Sequence, residues 1–326
     1  MRAGGETTFR VAIRDALADE MRDDDRVVLL GEDIAAAGGV FKATEGLFEE
    51  FGGQRVRDTP ISEQAIIGAA LGAALNGLRP VAELMFADFV AVAMDQLANQ
   101  VAKYRYQTGG QVTVPLVVRA VCGAGFGFGA QHSQNPEAWF MHLPGWRVVA
   151  ASTPHDAYWL LRAAIRSADP VLFLEHKSLF GKAGTVDDDR RPRLGQAAVR
   201  RDGEDVTVVT TMLMVDRALE AAQEMERRGH SVEVIDLRSM APLDRRLVVR
   251  SAVKTGRLVT VEENPRECGW GAEIVSMVAE EMAGELDGVR RVTAPSTPIP
   301  FSRPLETDWL PRTENVVAAL EAVLRG

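Results

Sequence analysis

Short continuous apolar runs recur along the chain and alternate with stretches whose apolar positions follow helical spacing. Ala12, Ile13, Ala16, Leu17 and Met21 share one helical face after Thr8, a residue suited to capping, and Asp23-Asp24-Asp25 ends the helix. Val27-Val28-Leu29-Leu30 then reads as a buried parallel strand running out into Gly31-Glu32-Asp33. Acids at the carboxyl end of such a strand sit where open α/β sheets bind ligands. Further strands are predicted over 79–85, 114–121, 146–150 and 170–174, separated by helices. The charged, proline-containing run 187–193 interrupts the pattern, which restarts with strands over 206–210, 232–235 and 258–261. The expected fold class is therefore α/β with two parallel-sheet domains: residues 1–186, a linker over 187–200, and a smaller domain over 201–326.

Between the first strands lies Asp58-Thr59-Pro60-Ile61-Ser62-Glu63-Gln64, an extended segment that breaks at a proline and opens an apolar helix. Residues 65–75 are small or apolar on every face, so the helix is expected to be buried and Glu63 with it. A buried acid without a cation nearby in sequence is costly and is able to hold or share a proton. The plainer alternative is capping, with Ser62 as N-cap and Glu63 facing the positive helix end.

Length, charge and cysteine usage narrow the classes. At 326 residues the chain suits two domains, and its net charge of −9 argues against nucleic acid or an anionic membrane surface as partner. Cys122 and Cys268 match no metal-ligand spacing and suit a reducing cytoplasm. The N-terminus lacks an apolar export core, and the apolar run at 65–75 is too short to span a bilayer. A cytoplasmic location is expected.

Gly125 to Ala130 satisfies the dinucleotide-binding spacing G-x-G-x-x-A after a strand. Pro136 interrupts the helix that should follow, and the next strand ends in Ala151-Ser152-Thr153 where a ribose-binding acid is wanted. The glycines fit better as a closely approached loop leading to Gln131-His132-Ser133-Gln134. His132 is the candidate for acid/base chemistry, against the alternative of a hydrogen-bonded loop histidine.

Gly31-Glu32-Asp33, Asp58 to Glu63, Phe86-Ala87-Asp88-Phe89, Ala130 to Gln134, Pro144-Gly145 and Pro298-Ile299-Pro300-Phe301 occur in an order and spacing that resembles one family. It is the β subunit of the thiamine-diphosphate-dependent decarboxylating component of 2-oxo acid dehydrogenase complexes. The resemblance implies a transketolase-like pyrimidine-binding domain followed by a transketolase C-terminal domain. It also implies an α2β2 heterotetramer in which the α subunit holds the diphosphate and Mg2+. In keeping with that division, this chain has no Gly-Asp-Gly motif followed by an asparagine pair.

By the same resemblance Glu63 shares a proton with the aminopyrimidine ring nitrogen remote from the exocyclic amine. His132 stands near the reacting carbon, and Met85 and Phe89 pack the ring, a role compatible with simple core packing. Glu32 and Asp95 resemble acids of a proton path between two active sites. A monovalent cation site, K+ in related subunits, would fall at Ala164, Ile165, Ser167 and Asp169, where Ser167 replaces the usual aspartate. The implied reaction is decarboxylation of a small 2-oxo acid, with the acyl group delivered to a lipoyl acyltransferase core. Residues 111–117 and 150–154 look most like pyruvate- and acetoin-type enzymes. Residues 38–41 and 103–106 are also similar to branched-chain ones. The rivals are a branched-chain enzyme, a stand-alone thiamine enzyme and a non-catalytic scaffold subunit.

Overall fold

The computed structural model describes residues 5–325; of the N-terminal stretch read for an export signal, residues 1–4 lie outside the described residues. The chain divides into two compact units, Met1–Cys122 with Trp139–Leu194 and Gly123–Ala138 with Gly195–Gly326. This differs from the expected single break near 187. The glycine-rich stretch after residue 122 belongs to the second unit, because its backbone amides find their acceptors there, on Glu263 and Glu306.

In the first unit β1 (Glu6–Thr8) leads into α1 (Phe9–Asp23). Thr8 caps that helix, its hydroxyl accepting from the Val11 N–H at 3.4 Å. Then come β2 (Val27–Gly31), α2 (Leu47–Phe51), β3 (Val56–Asp58), α3 (Glu63–Leu75), β4 (Arg79–Leu84), α4 (Tyr104–Gln107) and β5 (Val117–Cys122). After α5 (Glu137–Met141) follow β6 (Arg147–Ala150), α6 (Pro154–Ile165), β7 (Val171–His176) and β8 (Ala183–Thr185), which pairs antiparallel with β1. The main-sheet strands of this unit lie in the order β6-β7-β5-β4-β2-β3, with every neighbouring pair parallel. From β2 the chain goes outward to β3 and then crosses to β4 on the other side of β2. That reversal places a crevice at the carboxyl ends of these strands.

The second unit contains β9 (Ala198–Arg201), β10 (Val206–Thr210), α7 (Leu213–Arg227), β11 (Val232–Asp236), β12 (Ser239–Ala241), α8 (Arg245–Thr255), β13 (Arg257–Pro265), α9 (Trp270–Met282), β14 (Gly288–Ala294), α10 (Arg303–Trp309) and α11 (Thr313–Leu324). Its sheet runs β14-β13-β10-β11-β9, parallel except for the β9 edge. Val206, Val208, Met225, Val234, Val259 and Leu320 form part of its core. Each such side chain contributes about 1.5–3 kcal/mol by leaving water. β9 begins inside the expected linker because no hydrophobic alternation marks it. Arg200 on this half-buried edge pairs with buried Asp236 of β11 at 2.8 Å.

Two expectations are revised. α3 is not enclosed on every side: Gln64, Ala65 and Ala69 are exposed, while Ile66, Ile67, Ala70 and Leu71 are buried. Small side chains carry no amphipathic signature, so the sequence could not tell a covered face from an open one. Ser62 does not cap α3 either, since its hydroxyl donates to the Pro60 carbonyl at 3.0 Å.

Candidate active site

The Glu63 position is built by two contacts across the ends of β2 and β3. Asp58 Oδ1 accepts the Ala35 N–H at 2.8 Å, and the Thr59 N–H donates to the Gly31 carbonyl at 2.9 Å. The chain then turns through Pro60 and Ile61 and delivers Glu63 to the first turn of α3, where it is 7% exposed. Among the described residues no cation pairs with its carboxylate. Glu32, half-buried just past β2, is held above the ordinary carboxylate range, first by burial and then by the negative charges of Glu63, Asp33 and Glu83. The first unit thus gathers acids at the crevice of its topological switch.

Met85 follows β4 directly and is half-buried, as is Phe89 on the adjoining 3-10 turn Ala87–Ala91. Phe89 meets Phe86 edge-on with ring centroids 6.1 Å apart, and Phe86 meets Phe41 edge-on at 5.9 Å. These half-covered groups offer apolar surface beside β4. Asp95 is exposed, precedes the π-helical turn Gln96–Val101 and accepts from Asn99 Nδ2 at 2.8 Å. It is not among the acids that raise Glu32.

Sequence reading missed the charges inside the sheet. Arg119 of β5 is 2% exposed and donates through Nε and Nη2 to both oxygens of Glu175 on β7, at 2.6 and 2.9 Å. Its Nη1 donates to Glu83 of β4 at 2.6 Å. Burial alone would lower the guanidinium, but Glu175 and Glu83 overcome it and hold its pKa above the ordinary value. The available signal was an acid or arginine standing inside otherwise apolar strand runs. Gly145 has an equally local cause: at φ +112 an added Cβ would lie 1.9 Å from the Ala102 carbonyl oxygen.

The residues expected around a monovalent cation do not form an open oxygen shell. Arg79 Nη1 donates to the Ile165 and Ser167 carbonyls at 2.8 and 3.2 Å, and the Ala164 carbonyl accepts the Ser167 N–H at 3.0 Å. The Asp169 carboxylate pairs with Arg105 and, at 2.8 Å, with Arg147. The Arg79 guanidinium thus stands among the carbonyls that the resemblance assigns to an ion.

His132 belongs to the second unit, half-buried at the end of the glycine-rich loop, and its N–H donates to the Gly129 carbonyl at 3.4 Å. Just beyond it, Glu137 is 1% exposed and accepts from Asn264 Nδ2 at 3.2 Å. Burial pushes its carboxyl up to about 7 against the pull of these hydrogen bonds, with the charges of Glu263 and Glu262 adding to the rise. Glu63 and His132 therefore stand on different units.

The chain matches the family models described as transketolase, pyrimidine binding domain, over residues 6–182, and transketolase, C-terminal domain, over residues 195–316. It is similar to the acetoin:2,6-dichlorophenolindophenol oxidoreductase subunit beta of Cupriavidus necator, at 45% identity over 331 residues covering 98% of each chain. It is also similar to the 3-methyl-2-oxobutanoate dehydrogenase subunit beta of Mycobacterium tuberculosis, at 46% identity over 321 residues covering 98% of this chain and 92% of the relative. Among solved structures it resembles a split gene transketolase, described as an inactive beta4 tetramer. The TM-score there is 0.80 at 27% identity, covering 98% of this chain and 99% of the other.

Proposed function

We propose, from the premise that this chain belongs to the transketolase-like β subunits of the 2-oxo acid dehydrogenases, that it supplies the aminopyrimidine half of a thiamine diphosphate site completed by an α subunit. The observation that carries this reading is the buried Glu63 carboxylate. Among the described residues no cation pairs with it, and at the switch point of the first sheet it raises a second acid, Glu32. Such a group suits a neutral ring nitrogen, with which it shares a proton rather than forming an ion pair. Met85 and Phe89 provide the half-covered apolar surface a flat ring needs. The residues present therefore fit the pyrimidine end of the cofactor.

When bound, thiamine diphosphate supplies the nucleophilic carbon and the electron sink for loss of carbon dioxide. Glu63 would hold a proton at the ring nitrogen remote from the exocyclic amine and exchange it there. Glu32 exchanges protons with the Glu63 side of the site, and Asp95 joins that path only in the assembly. His132 stabilises charge at the reacting carbon and assists acyl transfer to a lipoyl group. Mg2+ belongs with the α subunit.

The proposed assembly is an α2β2 heterotetramer in the cytoplasm that serves a lipoyl acyltransferase core. Among the described residues no helix is long and apolar enough to cross a membrane. Ile61 and Tyr106, 81% and 89% exposed, give a partner chain large apolar side chains to cover. The inactive β-only assembly of the split transketolase supports inactivity of this chain by itself. The substrate proposed is pyruvate or acetoin. The second reading is a branched-chain 2-oxo acid, favoured by the 46% identity to the 3-methyl-2-oxobutanoate dehydrogenase subunit.

The test is turnover of pyruvate, acetoin and 3-methyl-2-oxobutanoate with an artificial electron acceptor. The chain is assayed alone and with its α partner. Activity that requires both chains and thiamine diphosphate is expected. Turnover by this chain alone would place the diphosphate site within it and refute the split site.

A further inference from the structure

The loop that carries His132 draws part of its anchoring from acidic side chains of the second unit. Between Cys122 and Glu137 it forms no helix or strand, and Gly125, Gly127 and Gly129 all adopt the left-handed region, at φ +111, +71 and +74. That backbone turns amide groups inward, where they need acceptors. One side chain provides two of them. Glu306 of α10, 2% exposed, accepts the Gly125 N–H on one carboxylate oxygen at 2.8 Å and the Gly127 N–H on the other at 2.7 Å. Hydrogen bonds to a charged acceptor are among the stronger kind, and two of them fix orientation as well as distance.

The acid is itself held. Trp309, one turn further along α10, donates from its indole N–H to the Thr297 carbonyl at 3.2 Å and packs with Ala124, Ala294 and Ile299. The loop also lies close against the arm before α10, since a Cβ added at Gly127 would stand 3.1 Å from the Phe301 carbonyl oxygen. A second acid closes the loop at its base. Glu263 Oε2 accepts from the Ala124 N–H at 3.4 Å and from Asn135 Nδ2 at 3.0 Å. The segment between those two residues, His132 included, is therefore tied at its ends by one carboxylate and along its glycines by another.

We propose that Glu306, with Glu263 in support, is a positioning residue for His132: its carboxylate sets the loop conformation from which the histidine reaches the reacting carbon. This rests on the assignment of His132 to the reaction. Glu306→Gln is the incisive change, because it keeps the volume but leaves one oxygen and turns an NH2 group toward a backbone N–H. A displacement of about 1 Å at a reacting group is enough to cost on the order of 100-fold in rate.

The test is a double-mutant cycle in the assembled α/β complex, with kcat and KM measured for wild type, Glu306→Gln, His132→Ala and the double variant. Glu306→Gln is expected to lower kcat about 10- to 100-fold with a smaller change in KM, and to add nothing further in the His132→Ala background. Hydrogen exchange of segment 123–134 should quicken in the variant while the thermal midpoint stays near that of wild type. Asn135→Ala, which removes one Glu263 contact without touching Glu306, should give a smaller loss with the same dependence on His132. Losses that add in the double variant, or full activity of Glu306→Gln beside an impaired His132→Ala, would overturn the positioning role. Full activity of His132→Ala would instead remove the histidine's own assignment and the proposal with it, and exchange would still show whether Glu306 anchors the loop.

Discussion

Replacing Glu137 by glutamine should stabilise the chain, and only above mildly acidic pH. The Glu137 carboxyl is buried beside Glu262 and Glu263 and is pushed from its ordinary 4.5 up to about 7. Between those two values the folded chain keeps a proton that the unfolded chain has released, so folding binds protons and stability falls as pH rises. The contribution is whole below about 4.5, declines as pH rises through about 7 and is flat beyond. At about 1.4 kcal/mol for each pH unit between the two values, the loss amounts to about 3 kcal/mol. Glutamine stays neutral throughout and retains an oxygen to accept from Asn264 Nδ2. The variant should therefore match wild type near pH 4.5 and exceed it by about 3 kcal/mol near pH 8.5. In thermal unfolding of the purified chain, each kcal/mol corresponds to a change in Tm of roughly 2–4 °C for a domain of this size. A difference that does not change with pH, or a variant that loses ground as pH rises, would refute the reasoning.

Other changes test other parts of the molecule. Arg119→Met should destabilise the first unit by about 3–5 kcal/mol, because Glu175 is left buried without its partner; denaturant unfolding should show the loss, and adding Glu175→Leu should recover part of it. Gly145→Ala should fail to accumulate as folded protein in soluble expression, since its Cβ would collide with the Ala102 carbonyl oxygen in a backbone conformation alanine avoids. Ile61→Asp should weaken assembly with the α subunit in sedimentation while leaving the melting of this chain alone within about 0.5 kcal/mol of wild type, because the side chain is exposed before assembly.

The sheets were legible because their strands are buried on both faces, and continuous runs such as Val27 to Leu30 and Val206 to Val209 announce that burial directly. Glu63 stood out for a related reason, as an acid opening an apolar helix. Residues whose role depends on partners distant in sequence were hidden. Nothing near Arg119 announces Glu175, and nothing near Gly125 announces Glu306, because those pairs meet only once the chain has folded. The edge strand at 198–201 was invisible as well, since it joins β11 through backbone pairing and an ion pair and carries no hydrophobic pattern. The open face of α3 was lost because alanine and glycine carry no preference that separates a covered position from an exposed one.

The central claim is that Glu63 shares a proton with the cofactor ring, and the most direct measurement is the activity of Glu63→Gln in the assembled α/β complex saturated with thiamine diphosphate. Glutamine preserves shape and burial but cannot exchange that proton. A loss of roughly 10²–10⁴ in kcat, the usual contribution of a positioned acid or base, is the predicted result, with assembly intact. Normal turnover by the variant complex would contradict the account and leave Glu63 as a structural residue at the start of its helix.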